Sequence, residues 1–166
     1  MRQVSPEVFI VESAVAQIGP RELNLLKQAA LNSPRGKARV CAHRSNEDAL
    51  HEMIIVHAGH AYVRPHRHHG KSESFHIVEG RVTVVLFDEA GTVVDRIPLG
   101  PPGSGRSFFY RLSDSLYHTV LFEDAMAVFH EVTNGPFLPE EADFAAWSPL
   151  ESDMAGREAF LAGLAR

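Results

Sequence analysis

Residues 65–80 read PHRHHGKSESFHIVEG, and this stretch decides the fold. Side chains of a β-strand alternate between its two faces, so His66 and His68 can present their imidazoles side by side. The four residues between His68 and Glu73 include a glycine, which is enough for a turn that returns the chain as a second strand. Glu73 on that strand can then join the two histidines at a ligand distance of ~2.0–2.2 Å from a metal. The stretch therefore predicts half of a metal site.

A further metal ligand is expected from a distant strand. His118, in the segment SLYHTVLF, follows a turn-like Ser-Asp-Ser and begins a run with β-strand character. The alternative for His118 is a half-buried strand histidine that binds no metal. The alternative for the whole cluster is a histidine-rich turn on the surface. Three imidazoles and one carboxylate suit one divalent transition metal (Fe, Mn, Ni, Co or Zn) and leave up to two octahedral positions open.

Composition favours a single domain and excludes several classes of partner. The chain has 166 residues, 45% hydrophobic residues and a formal net charge of -5 with both signs interspersed, which argues against a nucleic-acid surface. The apolar runs are too short to cross a bilayer, and the first residues lack the apolar segment of a signal peptide. One cysteine, Cys41, rules out an internal disulfide. We expect a cytoplasmic protein with a small-molecule ligand, sugar-derived or anionic, and with no nucleic-acid or membrane partner.

The order of local patterns predicts an all-β fold with helices at its two ends. Apolar residues at helical spacing predict a short N-terminal helix over residues 20–32. Short β-type runs separated by glycine-containing turns then predict a barrel over residues 38–137. The tail, residues 139–166, is expected to be helical, with Ser152 as N-cap of a helix over 152–164. The predicted strands are residues 38–42, 51–57, 61–66, 74–78, 82–87, 92–97, 107–112, 117–122 and 125–132.

Strand alternation extends the predicted site beyond the metal ligands. Tyr62 and Arg64 fall on the face of His66 and His68 if residues 61–66 form one strand. Arg64 would then bind a carboxylate or phosphate of the substrate, or else form a salt bridge at the rim. Tyr62 would donate a proton in catalysis. The alternative is a structural role, in which its side chain only packs against its neighbours.

Three further histidines have open roles. On a regular strand either His130 or Glu131 must face inward, and an inward His130 would serve as a catalytic base or a substrate contact. The alternative is a structural histidine. His51 and His57 share a face with apolar residues of their strand, so either can line the barrel or belong to its core.

The histidine-rich stretch resembles the first motif of the cupin superfamily, G-x5-H-x-H-x3-4-E-x6-G. The two histidines, Glu73 and Gly80 fit its spacing, whereas Gly59 lies one residue before the place of the leading glycine. His118 matches the histidine of the second cupin motif. More narrowly, residues 39–57, 62–88 and 128–137 resemble WbuC-type cupin-fold metalloproteins, which are named from bacterial surface-polysaccharide gene clusters.

The resemblance implies a cupin-like jelly-roll barrel, a homodimer formed through edge strands, and metal binding by His66, His68, Glu73 and His118. The first functional hypothesis is a metal-dependent enzyme with isomerase-like chemistry on a sugar or nucleotide-sugar in surface-polysaccharide metabolism. The second is an Fe(II)-dependent dioxygenase. The third is a non-enzymatic, metal-dependent small-ligand binder.

Overall fold

The computed structural model describes residues 1–138 and 142–165, and it shows two β-sheets with one helix packed on each. The first sheet has the strand order β1-β2-β3-β4-β11-β6-β9, and the second has the order β12-β5-β10-β7-β8. The helices are α1 (Pro20–Asn32) and α2 (Met154–Leu164). The strands are β1 (Arg2–Gln3), β2 (Val8–Ile10), β3 (Lys37–Cys41), β4 (Leu50–Ala58), β5 (His66–His68), β6 (Glu73–Glu79), β7 (Val82–Phe87), β8 (Val93–Leu99), β9 (Phe109–Leu112), β10 (Tyr117–Phe122), β11 (Met126–Asn134) and β12 (Ala142–Phe144).

Alternating side chains of the two sheets form the main core. In the middle of β4 and β6 the inward positions are apolar, and Ile55 and Ile77 are among the buried residues there. Val84 and Val120 supply the core face of the second sheet. The two sheets therefore pack face to face, as expected for strands with period-two alternation.

Helix α1 covers the outer face of the first sheet. It begins at Pro20 and ends at Asn32, the range predicted from the sequence. The Glu22 carboxylate accepts a hydrogen bond from the backbone N–H of Gly19 (3.1 Å), which closes the first turn. Leu26 and Ala30 are 0% exposed and pack with Val40 and other valines of the sheet.

The C-terminal segment covers the outer face of the second sheet, and its helix lies within the predicted range 152–164, but residues 142–153 of the predicted helical tail are not helical. It contributes strand β12, and its helix α2 is capped by Asp153, which accepts from the Gly156 N–H (2.9 Å), instead of by Ser152. Phe160 and Leu164 of α2 pack against the sheet with Trp147. Residues 139–141 and 166, which belong to the predicted tail, lie outside the described residues.

The predicted jelly-roll β-barrel is confirmed only as a jelly-roll-type arrangement of strands. In the described part of the chain the strand ladders form two separate sheets, so the fold is an open, jelly-roll-type sandwich. The predicted strand over residues 61–66 is wrong, because β5 begins only at His66. Pro65 lacks the N–H that a ladder needs, so the chain crosses there in irregular form. Among the described residues no helix is long and apolar enough to span a membrane.

Candidate metal centre

The structure brings His66, His68, Glu73 and His118 together in one cluster, which we call the metal cluster. One ligand atom from each residue lies within 4.8 Å of the others. His66 and His68 are on β5, and His118 on the neighbouring β10 stands directly opposite His66. Glu73 is the first residue of β6 in the other sheet. The cluster therefore joins ligands from both sheets.

Two of the histidines are oriented by backbone carbonyls. The Nδ1 atom of His66 lies 2.9 Å from the Arg64 carbonyl oxygen, and Nδ1 of His118 lies 3.0 Å from the Leu116 carbonyl oxygen. Each contact fits an Nδ1–H donor, which leaves Nε2 as the unprotonated ligand atom. Orientation of this kind is typical of metal-binding histidines.

The electrostatics of the metal cluster suit a cation. Burial, assisted by the charge of His118, lowers the pKa of His66 to about 3, so His66 is neutral at physiological pH. Burial alone would raise the pKa of Glu73, but the neighbouring imidazoles, His118 foremost, outweigh it and lower that pKa. Burial alone would lower the pKa of His118, but the Glu73 carboxylate outweighs it and raises that pKa. A bound cation would displace the His118 proton, because imidazoles bind metals in their neutral form and carboxylates in their ionised form.

Unpartnered polar atoms show that the donor set fits a metal ion. His118 Nε2 and Glu73 Oε1 are buried and lie 3.0 Å apart, yet within the described chain neither has a hydrogen-bond partner of proper geometry. Leaving two such atoms unpaired is costly unless something else satisfies them. A divalent cation held by His66, His68, Glu73 and His118 would satisfy both atoms.

The metal cluster is open on the side of His68. The His68 side chain is 29% exposed, whereas those of Glu73 and His118 are 5% and 2% exposed. A cavity of about 530 Å³ adjoins His68, and Glu131 and Thr133 of β11 line the same cavity. Any open coordination position on this side would face a space that admits a small molecule.

Glu131, and not His130, faces the cavity. Phe129, two residues earlier on β11, lies in the core between the sheets, so alternation turns Glu131 inward. His130 points to the outer face, where its Nε2 lies 3.7 Å from Glu52 Oε1. The prediction of an inward His130 that serves as a catalytic base is therefore wrong. Burial and the negative charge of Glu73 raise the pKa of Glu131 to about 8.

Tyr62 and Arg64 do not share the face of the metal-binding histidines, contrary to the sequence-based expectation. The Tyr62 hydroxyl donates to the Pro149 carbonyl (2.9 Å), and the Arg64 guanidinium donates to Ser148 and Ala145. These contacts hold both side chains against the C-terminal segment. The reason is again that residues 61–65 form no strand, so alternation does not extend back from β5.

Tyr110 is a residue near the metal cluster that the sequence analysis missed. It stands opposite Phe75 on β9 and is 6% exposed, and its hydroxyl has no hydrogen-bond partner in the described chain. Burial and the charge of Glu73 raise its pKa. Phe75 shares a face with Glu73, so knowledge of the β6–β9 pairing would have identified Tyr110.

His51 and His57 both face inward from β4, but they have different surroundings. His51 lines the 530 Å³ cavity and stacks on His43, with ring centroids 4.0 Å apart. His57 lies edge-on to the rings of Phe122 and Phe129. Neither belongs to the metal cluster.

Comparisons with known proteins support the fold. Residues 18–99 match a family described as a domain of unknown function, DUF6016, a span that contains His66, His68 and Glu73. No curated protein matches the sequence. Among solved structures, a protein from Shewanella oneidensis is 10% identical with a TM-score of 0.55, and the match covers 66% of this chain and 74% of that chain.

Two enzymes are among the other structural neighbours. The L-ribose isomerase of Cellulomonas parahominis is 14% identical with a TM-score of 0.52 over 67% of this chain and 70% of that one. An oxalate oxidase is 14% identical with a TM-score of 0.51 over 74% of this chain and 61% of that one. These neighbours are cupin superfamily proteins. At such identities the likeness shows a shared cupin-type fold.

Proposed function

We propose that the protein is a metal-dependent enzyme with isomerase-like chemistry on a sugar or nucleotide-sugar. One observation carries the proposal: the metal cluster is open on one side, toward a cavity of about 530 Å³ that Glu131 also lines. A structural metal would be enclosed by its ligands, whereas a catalytic one keeps a position accessible. Fe, Mn, Ni, Co and Zn all suit three imidazoles and a carboxylate.

The residues of this chain divide the chemistry between them. A divalent metal held by the metal cluster would act as a Lewis acid toward a substrate oxygen. Glu131 takes a proton from the carbon next to a sugar carbonyl and returns it to the carbonyl carbon, while the hydroxyl proton moves between the two oxygens. The reaction is redox-neutral. Burial raises the pKa of Glu131 above that of an ordinary carboxyl group, toward the range in which one group can both accept and return a proton.

Isomerase-like chemistry has support from two sides. One structural neighbour is an L-ribose isomerase, and the WbuC-type resemblance supports a place in surface-polysaccharide metabolism. The oxalate oxidase among the neighbours is compatible with the Fe(II)-dependent alternative, and a ligand binder without turnover is the third. A carboxyl group beside the open side of the cluster favours the isomerase, since an isomerase needs a proton-transfer group there.

Metal content of the purified, untagged protein tests the first part of the proposal. We expect His66→Ala and Glu73→Ala to lose bound transition metal while circular dichroism shows the fold retained. His69→Ala is the matched control, because this neighbouring histidine is 57% exposed and its Nε2 lies 3.2 Å from Asp143 instead of in the metal cluster. Unchanged metal in both ligand variants would refute the site.

Proton exchange tests the second part. Wild-type protein incubated in D₂O with a panel of aldoses, ketoses and nucleotide-sugars should introduce deuterium next to the carbonyl, as read by NMR. Glu131→Gln should abolish exchange and keep the metal. Oxygen consumption that requires Fe(II), or tight binding with neither exchange nor oxygen uptake, would replace the isomerase by one of the alternatives.

We also propose a homodimer, as the cupin resemblance implies, in the cytoplasm, as the sequence composition indicates. The edge strands of the two sheets are β1 and β9 in the first and β12 and β8 in the second. Light scattering of the purified protein should give twice the mass of 18.3 kDa, and a monomer at high concentration would contradict the dimer.

A further inference from the structure

Two arginines, Arg39 and Arg44, lie on the wall of the cavity that adjoins His68. Arg39 is on β3 and shares the inner face of that strand with Cys41, which belongs to the core between the sheets. Arg39 is exposed on this face and lines the cavity. The cavity therefore has a basic part in addition to the metal cluster.

Neither guanidinium forms a salt bridge in the described part of the chain. Arginines elsewhere do, and examples are Arg67 with Asp143 and Arg81 with Asp124, both at 2.6 Å. Asp48 lies beside Arg44 but accepts from its backbone N–H. In a chain with a net charge of -5, these two guanidinium groups bring positive charge into one cavity. The Glu131 carboxyl on the same wall lies close enough for the charge of Arg39 to act on it, but the two form no salt bridge in the described chain.

The chemistry of the guanidinium group defines what would neutralise that charge. Its planar donors match the oxygens of a carboxylate or phosphate in a two-bond arrangement, and pairing in a concave site is stronger than on an open surface. A cavity of about 530 Å³ has room for a monosaccharide derivative.

We propose that this cavity binds a substrate with an acidic group, a sugar acid or a sugar phosphate, whose carboxylate or phosphate pairs with Arg39 and Arg44. The other end of the substrate then extends toward His68 and the metal cluster. The inference rests on the proposed function, which it narrows to an anionic sugar. In this proposal Arg39 and Arg44, and not Arg64, bind the anionic group of the substrate.

Calorimetric titration with three matched probes tests the proposal: D-ribose 5-phosphate, D-ribonate and D-ribose, each added to protein loaded with Co²⁺. We expect at least one acidic probe to bind tenfold or more tightly than D-ribose. Arg39→Gln should reduce that ratio to within about twofold, and Arg39→Lys should restore part of it. The identity of the preferred probe distinguishes a phosphate from a carboxylate.

Arg21→Gln is the control, since Arg21 is exposed on α1, away from the cavity, and should leave the ratio unchanged. The inference would be overturned if the wild type showed no preference for an acidic probe or bound none of the probes. It would also be overturned if Arg39→Gln left the ratio of the affinities for the acidic probe and D-ribose unchanged. Metal content is measured on every sample. Bound metal without acid preference rejects only this inference, whereas acid preference without bound metal rejects only the proposed metal enzyme.

Discussion

At the scale of single residues, the chain uses histidine in two opposite ways. In the metal cluster, His66 and His118 each have one ring nitrogen directed to a backbone carbonyl, which leaves the other nitrogen as a ligand atom. His57 has no such arrangement: its Nδ1 is buried and, within the described chain, lacks a hydrogen-bond partner. The half-buried His57 ring therefore behaves as an aromatic residue that packs edge-on against Phe122 and Phe129.

Acid should destabilise the protein through His57. Burial, together with the positive charges of Lys37, Arg35 and Arg39, lowers its pKa from 6.5 to about 3. Because the folded state resists protonation, the unfolded state binds the extra proton, so stability is complete above pH 6.5 and is lost as pH falls toward 3. One such group costs ~1.4 kcal/mol per pH unit in that window.

Urea unfolding of the metal-free protein at pH 7 and pH 5 measures the effect. Wild type should lose about 2 kcal/mol more than His57→Phe between the two pH values. Both proteins keep the other histidines, so their contributions cancel in the comparison. An equal acid loss in the two proteins would contradict a folded state in which His57 is neutral.

Local patterns in the sequence were sufficient for the ligands and insufficient for their surroundings. His66, His68 and Glu73 could be predicted because a strand, a short turn and a second strand bring them together within a few residues. The roles of His130 and Glu131 could not, because both faces of β11 are apolar at its start and alternation has no fixed origin there. Which of the two faces inward depends on the pairing of β11 with β6, a contact distant in sequence.

At the scale of secondary structure, long periodic elements were predictable and short ones were not. The predicted ranges 82–87 and 117–122 coincide with β7 and β10. Strands β1 and β12 have two and three residues, too few for a pattern, and they exist because a neighbouring strand offers hydrogen-bonding groups.

Helix α1 allows a matched test of the packing that holds an element to its sheet. Leu26 is 0% exposed against the sheet, whereas Leu25, the adjacent leucine, is 51% exposed. Both substitutions to alanine change helix propensity equally. Leu26→Ala should lower the free energy of unfolding by about 3 kcal/mol, as expected for a buried leucine, and Leu25→Ala by less than ~0.5 kcal/mol. Urea unfolding checks both values, and similar losses in the two variants would contradict the packing of α1.

For the whole molecule, the metal cluster is a connection between the two sheets. The ladders do not join the sheets, so in the described chain they are held together by the core and by the connecting segments. The three histidines belong to the second sheet and Glu73 to the first. A cation bound by all four residues would bridge the sheets at one end of the core.

Metal binding should therefore stabilise the entire fold and not only its binding loop. A ligand that binds only the folded state at 100 times its dissociation constant adds about 2.7 kcal/mol to the free energy of unfolding. We expect urea unfolding of the wild type to show an increase of this size on saturation with Co²⁺, and hydrogen exchange to slow in strands of both sheets. Glu73→Gln should show neither effect, because it removes the one ligand from the first sheet, whereas His69→Ala should respond like the wild type. Slower hydrogen exchange in β5 and β10 alone would mean that the metal does not connect the two sheets. A Glu73→Gln variant that gains as much unfolding free energy from Co²⁺ as the wild type would exclude Glu73 from the site.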